Sequence, residues 1–120
     1  MDETVALEIT IQSGAAVVEF KGTSMSSVEG IAAASGQIHE FINQNHPAML
    51  IIDFAQVKFF SSQVLGLLLG IRAKLKTYNG EVLISGINPQ LYRVFKITNL
   101  DKIFEFFPDL ASAVKKTGKN

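Results

Sequence analysis

Residues Val5 to Ile11 alternate apolar and polar as V-A-L-E-I-T-I, the period of a strand with one wet face. Ser13-Gly14 supplies a turn and Ala16 to Phe20 a second strand, so short a connection predicting an antiparallel hairpin. Gly22 to Ser27 is a polar loop rich in capping residues. From about Ser27 to Asn45 the spacing becomes helical, with Val28, Ile31, Ile38, Phe41 and Ile42 on the apolar side. Gly30 and Gly36 each weaken that helix by about 1 kcal/mol against Ala. Pro47 closes it. Met49 to Ile52 is continuously apolar, the pattern of a central strand buried on both faces.

The next helix is predicted from Ser61 or Ser62 to about Tyr78, ended by Asn79-Gly80, which tolerate positive φ. Glu81 to Ile87 reads as a strand. Asn88 and Pro89 open a third helix as N-cap and first residue, with Leu91, Val94, Phe95 and Ile97 inward. Ile103 to Phe107 is a short final strand, and Pro108-Asp109 opens a last helix to about Lys116, leaving Thr117 to Asn120 to fray. The order β-β-α-β-α-β-α-β-α predicts an α/β fold whose mixed sheet has parallel later strands.

Composition narrows the class. With 120 residues, 48% of them apolar and nine Phe, the chain is expected to form one domain over residues 1–120, ordered from about 4 to 116. A domain of this size buries roughly two thirds of its unfolded surface. Eleven basic residues balance eleven acidic ones, and the one basic cluster is Lys115, Lys116 and Lys119, which argues against nucleic acid as a partner. Without cysteine there is neither a disulfide framework nor a thiolate metal site. The opening MDETVALEIT has no basic stretch followed by an apolar one, and the apolar run Val64 to Ile71 is far below the ~18 residues of a membrane span. A cytoplasmic location, without membrane insertion, is the expectation.

Candidate chemistry is sparse. His39 and His46 have no carboxylate at a ligand-like spacing, and the chain contains no G-x-S-x-G elbow and no phosphate loop. Gly66 and Gly70 share one helix face, where close approach of another element is expected. Ser61 and Ser62 stand at a helix start. A hydroxyl there caps unpaired backbone N–H groups, and pattern alone favours that reading. The same position also welcomes a phosphate. Asp53, ending the apolar strand, suits an Asx turn at Phe54-Ala55.

The run I-D-F-A-Q-V-K-F-F-S-S-Q-V-L-G-L-L-L-G, from Ile52 to Gly70, resembles the STAS domain of bacterial anti-sigma factor antagonists. That family places a buried L-D-L-S-x-V strand before D-S-S-G-L-G and an apolar helix. Tyr78 to Ile84 is similar to its helix end, glycine turn and fourth strand. P-Q-L-Y-R-V-F-K-I-T-N-L-D-K-I-F, from Pro89 to Phe104, is similar to its closing pattern. The likeness spans about Val5 to Val114 and is strongest from Pro47 onward.

The resemblance implies a single STAS-type domain, a mixed sheet of about five strands with about four helices mainly on one side. It implies a regulatory, non-enzymatic protein without a cofactor, which binds an anti-sigma factor (a serine kinase) and so frees a sigma factor. The docking surface would comprise Phe59, Phe60, Gln63, Val64 and Leu65, with Thr23 and Ser24 beside it and Asp53 in the regulatory site. The family's phosphorylated serine is here Gln63, which cannot accept phosphate, so Ser62 and Ser61 are the candidate acceptors of an atypical or lost switch. The alternatives are an accessory subunit of a lipid-transport or stress-sensing complex, or a small-ligand domain with a pocket near Asp53.

Overall fold

The computed structural model describes residues 5–118. In chain order the elements are β1 (Leu7–Gln12), β2 (Ala15–Phe20), β3 (Ser24–Met25), α1 (Val28–Asn45), β4 (Met49–Asp53), β5 (Phe59–Phe60), α2 (Gln63–Lys76), β6 (Glu81–Ser85), α3 (Pro89–Ile97), β7 (Glu105–Phe107) and α4 (Leu110–Gly118). A short 3-10 turn, Leu100–Lys102, follows α3.

The hairpin forms as expected: β1 and β2 are antiparallel, and Ser13 (φ 52°) and Gly14 (φ 85°) make a two-residue loop with both φ positive. The main sheet has the order β1-β2-β4-β6-β7, in which β4 lies parallel to β2 and β6, and β7 parallel to β6. Strand alternation then sorts the core. Val18, Leu50, Ile52 and Ile84 meet the buried residues of α1, α2 and α3 on one face. Ala15, Val17, Ile51 and Leu83 meet Ala113 of α4 on the other. Three helices cover one face and one the other, so the helices do lie mainly on one side.

Both strong caps are made: Ser27 Oγ accepts from Gly30 N at 3.0 Å and Asn88 Oδ1 from Leu91 N at 2.8 Å. Asn79, at φ 68°, ends the turn after α2 in the left-handed region. Other expectations need correcting. Val28 and Ile97, expected inward, are 62% and 74% exposed, because they are the first residue of α1 and the last of α3 and lie beyond the packed turns. A Cβ on Gly66 would meet nothing within 4 Å, and one on Gly70 would merely touch His39 Nε2 at 3.6 Å, so neither glycine marks a close approach. The last helix takes in Thr117 and Gly118, which were expected to fray, while Lys119 and Asn120 lie outside the described residues.

Candidate functional site

The polar loop after β2 and the segment after β4 contain a feature the sequence pattern did not reveal. Each gives two residues to a separate parallel ribbon, with Ser24 opposite Phe59 and Met25 opposite Phe60. Thr23 O accepts from Lys58 N (2.7 Å) and Phe59 N (3.2 Å), and Met25 O accepts from Ser61 N (2.9 Å). Two-residue strands carry no periodicity, which is why they escaped detection. Alternation still decides their sides: Met25 and Phe60 point into the core, Ser24 and Phe59 into solvent. Phe60 anchors the ribbon through ring contacts with Phe54 (5.7 Å) and Phe95 (6.1 Å), both edge-to-face.

The ribbon leads straight into α2. Ser62 has helical angles (φ −61°, ψ −18°), so its hydroxyl makes no capping bond. A capping residue needs extended angles to bring its oxygen back over the first turn. Ser61 Oγ is buried and has no hydrogen-bond partner. The expected hydroxyl cap is therefore absent. The carbonyls of Ser61 and Ser62 instead accept from Val64 N and Leu65 N, both at 3.0 Å, a tight first turn. Gln63 Nε2 donates to Val28 O at 3.2 Å and so ties the start of α2 to the start of α1.

Asp53 lies beneath this surface. It is 5% exposed, its Oδ1 accepts from Ser85 Oγ at 2.6 Å, and its Oδ2 accepts from Ala55 N at 3.4 Å. The last of these is the Asx turn expected from sequence. Gly86, at φ 70°, packs so closely that a Cβ would come 3.0 Å from Asp53 Oδ1. Asp53 is thus buried, held by Ser85 and Ala55 and packed against Gly86. Sequence reasoning missed a second clamp: Asn88 Nδ2 donates to Val57 O at 3.3 Å, gripping the segment before β5 from the start of α3. The N–P pair marks the cap, but nothing in sequence marks this second bond.

The structure thus divides the predicted set. Thr23, Ser24, Phe59 and Ser62 are exposed and adjacent, with Gln63 half-buried among them. Phe60, Val64 and Leu65, expected in the contact surface, are buried in the core, as is Asp53. Ser61, the other candidate acceptor, has its hydroxyl oxygen buried. The exposed residues Thr23, Ser24, Phe59 and Ser62 are uncharged, while Lys58, whose N donates to Thr23 O in the ribbon, and Glu29 are exposed charges. Among the described residues, no group of three or more His, Cys, Asp or Glu is placed to hold a metal ion. Nor is any helix long and apolar enough to cross a membrane.

The STAS domain family model matches residues 6–113 of this chain. An anti-sigma factor antagonist from Mycobacterium paratuberculosis shares 24% identity over 99% of this chain and 98% of its own, with a TM-score of 0.84. Unphosphorylated SpoIIAA, an anti-sigma factor antagonist, shares 18% over 92% and 95%, with a TM-score of 0.81. A sulfate transporter family protein from Wolinella succinogenes shares 15% over 90% and 88%, with a TM-score of 0.75. These structural likenesses are likenesses of fold.

Proposed function

Because this chain belongs to the STAS domain family, we propose that it is an anti-sigma factor antagonist, which binds an anti-sigma factor of the serine-kinase type and so releases a sigma factor. The observation that carries this reading is Phe59. It is 54% exposed on a ribbon held from both sides, amid the uncharged Thr23, Ser24, Ser62 and Gln63. A large apolar ring on a fixed backbone, ringed by small polar groups, has the anatomy of an interface anchor. Binding rather than catalysis is its role. The antagonist neighbours support the partner class.

The regulatory switch differs from the family's. Gln63 fills the usual acceptor position with a neutral side chain bonded to Val28 O. Of the two serines, Ser62 is exposed whereas the Ser61 hydroxyl oxygen is buried, and Ser62 is the proposed acceptor. A phosphate there would add close to two negative charges to the docking surface.

Affinity capture followed by calorimetry tests both parts. The expected partner is an ATPase of the histidine-kinase-like fold, whose affinity falls at least about five-fold on Phe59→Ala. Lys115→Gln, on the distant α4, should leave it unchanged. Incubation with that partner and ATP should place any phosphate on Ser62. Phosphate confined to residues 22–27 would overturn the switch, and an unchanged Phe59→Ala affinity would overturn the docking surface. The fold shared with a sulfate transporter family protein favours a second reading, an accessory role on a membrane permease. Recovery of a permease in the same experiment would select it.

A further inference from the structure

Net neutrality conceals a segregation of charge. Residues 1–62 hold two Lys or Arg against seven Asp or Glu, whereas residues 63–120 hold nine against four. Topology gathers part of that basic excess at one pole. The helices α2 and α4 run back along parallel strands, so both end near the amino ends of β6 and β7, far from Phe59. There a cleft of about 290 Å³ is walled by Arg72 and Lys76 on one side and by Lys116 on the other. Val82 and Ile103 give it apolar surface, and Ile103 is 40% exposed.

Helix-end electrostatics explains part of this arrangement. Lys76 and Lys116 stand in last turns, where a cation offsets the partial negative charge of the carbonyl end. Lys116 is also satisfied locally, its Nζ lying 2.6 Å from Glu105 Oε1 and 5.9 Å from the centre of the Phe107 ring. Arg72 has no such account. It stands four residues before Lys76 on the same helix face, a like-charge spacing that destabilises a helix. Neither makes an ion pair with a carboxylate among the described residues, although Glu81 borders the same cleft. Two cations without an ion-pair partner on one wall, in a cleft whose two carboxylates are Glu81 and the Lys116-paired Glu105, lie beside exposed apolar surface and match a ligand that carries both a doubly charged anion and an apolar group.

We propose that this cleft binds a phosphate monoester bearing an apolar group, either a lipid headgroup or a soluble ester. Arg72 and Lys76 take the phosphate, and Ile103 and Val82 take the apolar part. A phosphate monoester carries close to two charges at neutral pH, enough to engage both cations, where a single carboxylate engages one. The site stands independently of the docking surface at the opposite end.

Phenyl phosphate is the soluble probe, and phosphatidylcholine vesicles with and without phosphatidic acid are the lipid one. Titration followed by amide NMR should shift Gly80 to Val82 and Ile103 saturably with phenyl phosphate, or vesicles should bind the protein only when phosphatidic acid is present. The first result identifies a soluble ester and the second a headgroup; either supports the site. Arg72→Gln combined with Lys76→Gln should weaken the binding by about ten-fold or more, with the melting temperature unchanged. Absence of saturable binding to both probes would overturn the proposal. So would full retention of binding in the double variant, or shifts confined to residues elsewhere.

Discussion

The hydroxyl of Ser85 donates to Asp53 Oδ1 at 2.6 Å, between two residues that are register partners at the ends of β6 and β4. Both are buried, and Phe54 N donates to Ser85 O at 2.9 Å, so the chain leaves β4 in one fixed direction toward the ribbon that carries Phe59. Ser85→Ala would leave a buried carboxylate with the single long bond from Ala55 N. A loss of about 1–3 kcal/mol is expected in urea unfolding. A change below about 0.5 kcal/mol would show that the pair does not hold the crossover.

Asn88 does two jobs that one substitution separates. Aspartate caps a helix as well as asparagine does, so Asn88→Asp keeps the bond from Leu91 N. It cannot donate to Val57 O, and the clamp on the segment before β5 is lost. Hydrogen exchange should quicken at Lys58 and Phe59 while the amides of β4 and β6 stay protected. Uniform loss of protection would instead mean that the cap had failed.

These two clamps mark the boundary of what sequence could disclose. The elements with many residues per period were legible: the alternation of Val5 to Ile11, the unbroken Met49 to Ile52, and the Asn88-Pro89 start. The ribbon was not, because two residues have no period. Its partners Ser24 and Phe59 lie 35 positions apart along the chain and meet only once β2 and β4 are laid side by side. The helix start at Ser61-Ser62 was legible as a position, but not as chemistry. Whether a serine caps depends on its φ and ψ, and the ribbon sets those by holding Ser61 N on Met25 O. Side-chain direction decided the rest: adjacent Phe59 and Phe60 look equivalent in sequence, yet one faces water and the other the core.

His39 gives the fold a mild acid sensitivity. Burial against α2 lowers its pKa below the ordinary value of 6.5, and Lys74 lowers it further. Protonation is then harder in the folded chain than in the unfolded one. Between the two pKa values the unfolded state binds more protons, so stability rises with pH across that window. The contribution is complete above about pH 6.5 and is lost as pH falls through the folded value. The melting temperature should therefore drop on acidification from pH 7.5 to 5, and His39→Gln should show a smaller drop. Equal drops in the two proteins would place the sensitivity elsewhere.

Gln63→Asp separates folding from docking most sharply. The substitution removes the donor that Gln63 Nε2 offers to Val28 O, a partly exposed bond worth roughly 0.5–1.5 kcal/mol. It also sets a carboxylate at the start of α2, where the helix dipole returns about 0.3–1 kcal/mol. The two effects oppose each other, so stability should change by less than about 1 kcal/mol. Docking has no such compensation. A charge beside Phe59 must be stripped of water or paired when a partner covers it, and affinity should fall several-fold or more. Gln63→Ser is the companion variant: it removes the tie to Val28 without adding charge and restores a hydroxyl at the family's acceptor position. If Gln63→Ser binds like the parent while Gln63→Asp binds weakly, charge at this point controls docking, the means by which the phosphate proposed on Ser62 would act. Equal binding by Gln63→Asp and the parent would remove the helix start from the docking surface, leaving the fold shared with antagonists silent about function.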